Sequence, residues 1–93
     1  MVVERLGPNE PRQAAHVDAW VIDDEVVLYD PRRERMHVCN ATAALIWQLC
    51  DGERGLEAIV ASVAAVYPAV SPTAIAADVA GLVVTLRTEE IVS

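Results

Sequence analysis

The side chains best suited to nucleophilic attack or soft-metal ligation are few in this 93-residue chain: His16, His37, Cys39 and Cys50. His37 and Cys39 stand two apart in a stretch that alternates like a strand, so they share a face and could offer two metal ligands. Structural zinc takes four, and no third or fourth stands at suitable spacing. His16 lies in an irregular N-terminal stretch, and neither histidine has a Ser or Cys partner in a recognisable catalytic signature. Two isolated cysteines make neither a disulfide framework nor a CxxC knuckle, and read instead as small buried hydrophobes. The glycines at 7, 52, 55 and 81 never cluster into a phosphate-cradling loop. The sequence therefore predicts no catalysis by this chain, no metal and no cofactor.

Binding is the better prospect, and it depends on the elements the pattern specifies. Residues 1 to 16 carry Pro8, Pro11 and scattered charge with no period, and read as a flexible N-terminal arm. From residue 17 the chain turns β-branched and aromatic: 17–23 and 25–30 form a hairpin about Asp23-Asp24, and after a turn at Asp30-Pro31-Arg32-Arg33 the alternating segment 34–39 forms a third strand. Asn40 is a good N-cap for a helix over about 40–51, stopped by Asp51-Gly52. Leu56, Ile59, Val60, Val63, Val66 and Tyr67 keep helical spacing up to Pro68, giving a helix over about 55–67. Ser71-Pro72 opens a third helix over about 72–89, with Ile75, Val79, Leu82, Val83 and Leu86 as its apolar stripe. Ile91 and Val92 are expected to fold back onto the sheet or bundle. The fold class is α+β: an N-terminal three-stranded antiparallel sheet followed by a three-helix bundle, winged-helix-like with the wing first.

With 54% apolar residues and 23% charged, the chain has a globular composition, and 93 residues leave room for one domain. There is no Phe, so the core is built from Val, Ala, Leu and Ile, and net stability is on the order of 5 to 14 kcal/mol. Trp20 and Trp47 read as core or core-edge residues. Seven Arg, no Lys and 14 acidic residues give a net charge of -7, which repels phosphate and disfavours nucleic acid and an acidic membrane surface. No stretch reaches the length of a membrane span and the N-terminus lacks a signal peptide, so a soluble cytoplasmic protein is expected.

A three-stranded meander has two edges, each with unpaired N–H and C=O groups. The third strand is the candidate edge, because the helices that follow it should leave a cleft beside it for an extended peptide. The other reading is an edge capped by the N-terminal arm or by a second copy of the chain, a homodimer. Arg32, Arg33 and Arg35 make a local positive spot at the turn into that strand, suited to ligand carboxylates or else simply paired with Glu34 and Asp30. Asp78 and Thr85, seven apart on the third helix, flank its apolar stripe and either face the cleft or are solvated. A winged-helix DNA-binding regulator is a rival reading, with the third helix for recognition. Its only basic residue, Arg87, lies close to Glu89 and Glu90.

Leu28-Tyr29-Asp30, Arg35 to Cys39, then Asn40-Ala41-Thr42-Ala43-Ala44-Leu45-Ile46-Trp47, Asp51-Gly52-Glu53-Arg54 and the late Ala77-Asp78-Val79 resemble, in order and spacing, the PqqD-like family. The resemblance spans about residues 17 to 92, the peptide-recognition domain of the chain. It implies a leader-peptide recognition element for ribosomally made, modified peptides, in which the leader adds to the third strand and lies against the third helix. The implied site is Arg35, Met36, His37, Val38 and Cys39 on one wall, with Asp78, Leu82 and Thr85 on the other. The implied partners are the precursor leader and a leader peptidase or other modifying enzyme. Stand-alone members of lasso-peptide clusters are most similar; a chaperone for a radical-enzyme cofactor pathway is the alternative within the family. Two positions depart from the pattern. Cys39 stands where the family more often has a bulky aliphatic residue, and Glu89-Glu90-Ile91-Val92 lacks the usual Gly before its apolar pair.

Overall fold

Alternation along the second strand decides how the sheet sits: Val26, Leu28 and Asp30 are buried while their neighbours are not. In the computed structural model, which describes residues 10–93, the strands are β1 (Asp18–Ile22), β2 (Glu25–Asp30) and β3 (Arg35–Cys39), antiparallel in the order β1-β2-β3. The two-residue turn Asp23-Asp24 closes the first hairpin, with Ile22 opposite Glu25 and Asp23 at φ 59. Asp30 shapes the second: its Oδ1 accepts from the backbone N–H of Arg32 at 2.9 Å and of Arg33 at 3.4 Å, and Glu34 takes φ 54 to bring the chain back.

The helices are α1 (Ala41–Leu49), α2 (Leu56–Val66) and α3 (Pro72–Thr88), each within two residues of the sequence-predicted bounds. Asn40 caps α1, its side chain accepting from Ala43 N–H at 2.9 Å. Ser71 precedes α3 with Pro72 in the first turn, but its side chain makes no capping bond, so Pro72 with its preset φ is what marks that start. The helices cover the face of the sheet that carries Val26, Leu28 and Cys39. Around them pack Ile46, Trp47, Ile59, Val63, Val79, Val83 and Leu86. Fully burying a side chain such as Leu28 or Ile59 stabilises by about 1.5–3 kcal/mol. Trp47 is in this core. Trp20, read as core or core-edge, instead stands 52% exposed on the outer face, because it pairs with Val27 on the side the helices leave bare.

Residues 1–9 of the expected arm lie outside the described residues. The rest of it is bonded in place. Gln13 N–H donates to Cys50 O, Ala14 N–H to Ile91 O, Gly52 N–H to Pro11 O, and Ser93 N–H to Arg12 O, at 2.8 to 3.0 Å. Pro11, Ile91 and Val92 are buried in this seam. The tail turns back with Glu90 at φ 61, a left-handed position that glycine adopts without strain. Among the described residues no helix is long and apolar enough to cross a membrane.

Candidate functional site

Which backbone groups of β3 are free follows from register alone. A two-residue hairpin turn is closed by a hydrogen-bonded pair, here Ile22 and Glu25, and bonded pairs then alternate. Glu25, Val27 and Tyr29 therefore bond to β1, leaving Val26, Leu28 and Asp30 to bond to β3. Their partners are Cys39, His37 and Arg35. Met36 and Val38 are left with N–H and C=O directed away from the sheet. No other strand pairs with that edge among the described residues. The described part of the arm bonds to the segment after α1 and to the tail instead.

Side chains alternate as well. Arg35, His37 and Cys39 share the face of Leu28, toward the helices, whereas Met36 and Val38, each 66% exposed, share the outer face with Val27 and Tyr29. The five strand residues proposed as one wall thus divide in two. Cys39, only 5% exposed, belongs to the core opposite Val26.

α3 does not pack on β3: the two never bring Cα atoms within 8 Å of each other, while α1 touches both. The space between them is closed at one end by ions: Arg35 Nη1 lies 3.3 Å from Glu89 Oε1, and Arg33 reaches Glu89 at 3.8 Å and Glu90 at 3.1 Å. At the other end, where Thr42 follows β3, is an apolar cavity of about 80 Å³ lined by Thr42, Ile46, Tyr67, Ile75, Asp78 and Val79, among others. Asp78 to Glu89 is eleven helical steps, about 16 Å at 1.5 Å each. That is the length of about five extended residues. Asp78, Leu82 and Thr85 fall within about 60° of one another around the helix, beside the buried stripe of Val79, Val83 and Leu86. Asp78 and Thr85 are exposed and Leu82 half-buried. Thr85 Oγ1 donates to Gly81 O at 3.1 Å, which leaves its oxygen free to accept.

Two of the three arginines of the positive spot are already paired. Arg33 and Arg35 are engaged by Glu89 and Glu90, and Asp30 binds the turn backbone. Glu89 and Glu90 are more than fifty residues away in sequence, so the turn alone gave no sign of them. The cavity residues Thr42, Ile46 and Tyr67 were likewise missed, because the meeting of one face of α1, which carries Thr42 and Ile46, with Tyr67 at the end of α2 is tertiary. Arg87, the basic residue of the DNA-reading alternative, donates from Nε to Ser93 O at 3.2 Å and is half-buried.

Burial pushes both thiols up, Cys50 to about 11, and Cys50 Sγ donates to Ile46 O at 3.2 Å. Neither is a thiolate at neutral pH. For Asp30, burial acts to raise the pKa, but the N–H groups of Arg32 and Arg33 and the charges of His16 and Arg33 outweigh it. Its carboxyl is held below the ordinary 3.8. Among the described residues no three His, Cys, Asp or Glu side chains are grouped to hold a metal.

Comparison with known proteins gives two kinds of likeness. Residues 25–92 match the family model described as coenzyme PQQ synthesis protein D, PqqD. Two solved structures superpose well. TbiB1 in complex with the TbiA(beta) leader peptide has a TM-score of 0.79 at 26% identity, covering 88% of this chain and 94% of that one. A lasso peptide synthetase B1 complexed with its leader peptide has a TM-score of 0.72 at 31% identity, covering 90% and 98%. No curated protein sequence matches the chain.

Proposed function

Starting from the fact that this chain belongs to the PqqD family, we propose that it is a noncatalytic adaptor of lasso-peptide biosynthesis that captures a precursor's leader and delivers it to a processing enzyme. The observation that carries this reading is the edge of β3, with which no strand pairs among the described residues and which α3 does not cover, in a fold whose solved neighbours are complexes with leader peptides. The leader pairs with the main chain of Met36 and Val38. Arg35 and His37 line the groove from the strand, with Cys39 behind them, and Asp78, Leu82 and Thr85 line it from the helix.

Magnitudes show why both walls are needed. Two residues offer four main-chain bonds, each worth about 0.5–1.5 kcal/mol net, so about 2–6 kcal/mol together. Micromolar capture takes about 8 kcal/mol. The remainder must come from side chains against Leu82 and in the cavity beside Asp78, which is also where selectivity arises. The likeness to B1 proteins favours a lasso leader peptidase as the receiving enzyme over the radical-enzyme pathway that the family's description names. Two free, buried thiols suit the reducing cytoplasm in which a ribosomal precursor is made.

Fluorescence anisotropy with the labelled leader of the precursor encoded beside this protein tests the proposal. Saturable binding is expected, and a flat titration overturns it.

A further inference from the structure

A second depression lies beside the cavity at Asp78. Tyr67, half-buried just after α2, lines the small cavity on one side and a larger depression of about 300 Å³ on the other. The floor of this depression is apolar and wet: Val21 of β1, Leu45 of α1 and Val66 of α2 contribute to it, with Val21 68% and Val66 55% exposed. Its rim is the β1–β2 turn, where Asp23 and Asp24 are exposed and take part in no hydrogen bond or ion pair among the described residues. Asp23 also holds φ 59 at a turn position that ordinarily takes glycine. An aspartate is thus kept there at a conformational cost, beside a second carboxylate and an uncovered valine pair.

An occupant that satisfies such a surface is both aliphatic and cationic. Position says which part of a ligand arrives there. β3 runs from the Arg33/Arg35–Glu89 end of the groove toward Cys39, and Cys39 pairs with Val26, just past the Asp23-Asp24 turn. Every pairing in the sheet is antiparallel. A strand added in the same sense enters beside Cys39 and leaves beside Arg35, so its upstream residues lie at the Tyr67 end.

We propose that this depression is a second subsite for the leader, taking the segment N-terminal to the added strand and selecting there an Arg or Lys beside an aliphatic residue. The inference rests on strand capture by β3, and the test separates the two. The probes are the fluorescein-labelled leader of the precursor encoded beside this protein and the same leader lacking the residues upstream of its strand segment. Asp23→Asn with Asp24→Asn removes both charges while keeping side chains that tolerate the turn. The double variant is expected to bind the full leader about three- to tenfold more weakly at low salt, with the gap narrowing as salt screens it. The truncated leader binds wild type and double variant alike. Val38→Pro weakens both peptides. Equal binding of the full leader by wild type and double variant at low salt, while Val38→Pro still weakens it, overturns the subsite and leaves strand capture standing. A leader with no Arg or Lys upstream of its strand overturns the subsite as well. Val38→Pro without effect removes strand capture, and the subsite with it.

Discussion

Main-chain hydrogen bonding is spent completely on one side of this molecule and withheld on another. In the seam between residues 11–14, 50–52 and 91–93, three remote stretches close on each other with bonds of 2.8 to 3.5 Å, and Pro11, Cys50, Ile91 and Val92 are buried between them. At the rim of β3 the same chemistry is left open among the described residues: no strand pairs with Met36 and Val38 there, and α3 stays clear of β3. The seam holds the fold; the rim is available to a partner.

The contrast is sharpest between neighbouring residues. Proline at Val38 removes an N–H the free protein does not use, so it should leave folding nearly intact and weaken leader binding at least about tenfold, the loss of one bond and of close approach. Proline at His37 removes a ladder bond to Leu28 and should cost about 1–3 kcal/mol of stability. Urea titration and anisotropy on both variants check this. Identical behaviour of the two would break the alternation on which the site rests.

The seam should respond in the opposite way. Gly52 holds φ +82, and a Cβ there would lie 2.5 Å from Arg12 Nε. Gly52→Ala should therefore lower stability by about 1–2 kcal/mol, a fall in Tm of about 5–15 °C, with leader affinity unchanged below the transition. Calorimetry and a cold binding titration test it.

Asp30 links the two regions, since it orders the turn into β3. Its carboxyl is depressed in the folded chain, so its contribution to stability is present above pH 3.8 and is lost as the pH falls through the folded value. Asp30→Asn should be less stable than wild type at neutral pH, with the difference in Tm closing on acidification. A constant difference would contradict the assignment. The smallest effect is expected at the tail, where Glu90 sits at φ 61. Glu90→Gly relieves that strain but gives up an exposed pair with Arg33, for a net gain of up to about 1 kcal/mol, read as a Tm higher by a few degrees.

Much of the fold was legible because its signals are local. Asp23-Asp24, Asn40 and Pro72 mark where elements turn or begin, and the stripe from Ile75 to Leu86 needs only helical period. The edge was legible too, but treating residues 35–39 as one wall overlooked a signal in plain view. A strand alternates, so Cys39 had to share its face with His37 and could not line the same surface as Val38. What stayed hidden was tertiary. The Glu89 and Glu90 partners of the arginines, the gap between β3 and α3, and the meeting of Thr42, Tyr67 and Asp78 depend on where helices dock, and no spacing within one segment encodes that.

Amide hydrogen exchange resolved along β3, without leader and with saturating leader, tests the central claim most directly. In the free monomer the amides of His37 and Cys39 should be protected and those of Met36 and Val38 should exchange quickly; leader should slow Met36 and Val38 selectively. Protection of Met36 and Val38 before any leader is added, or fast exchange there at saturation, would contradict the account.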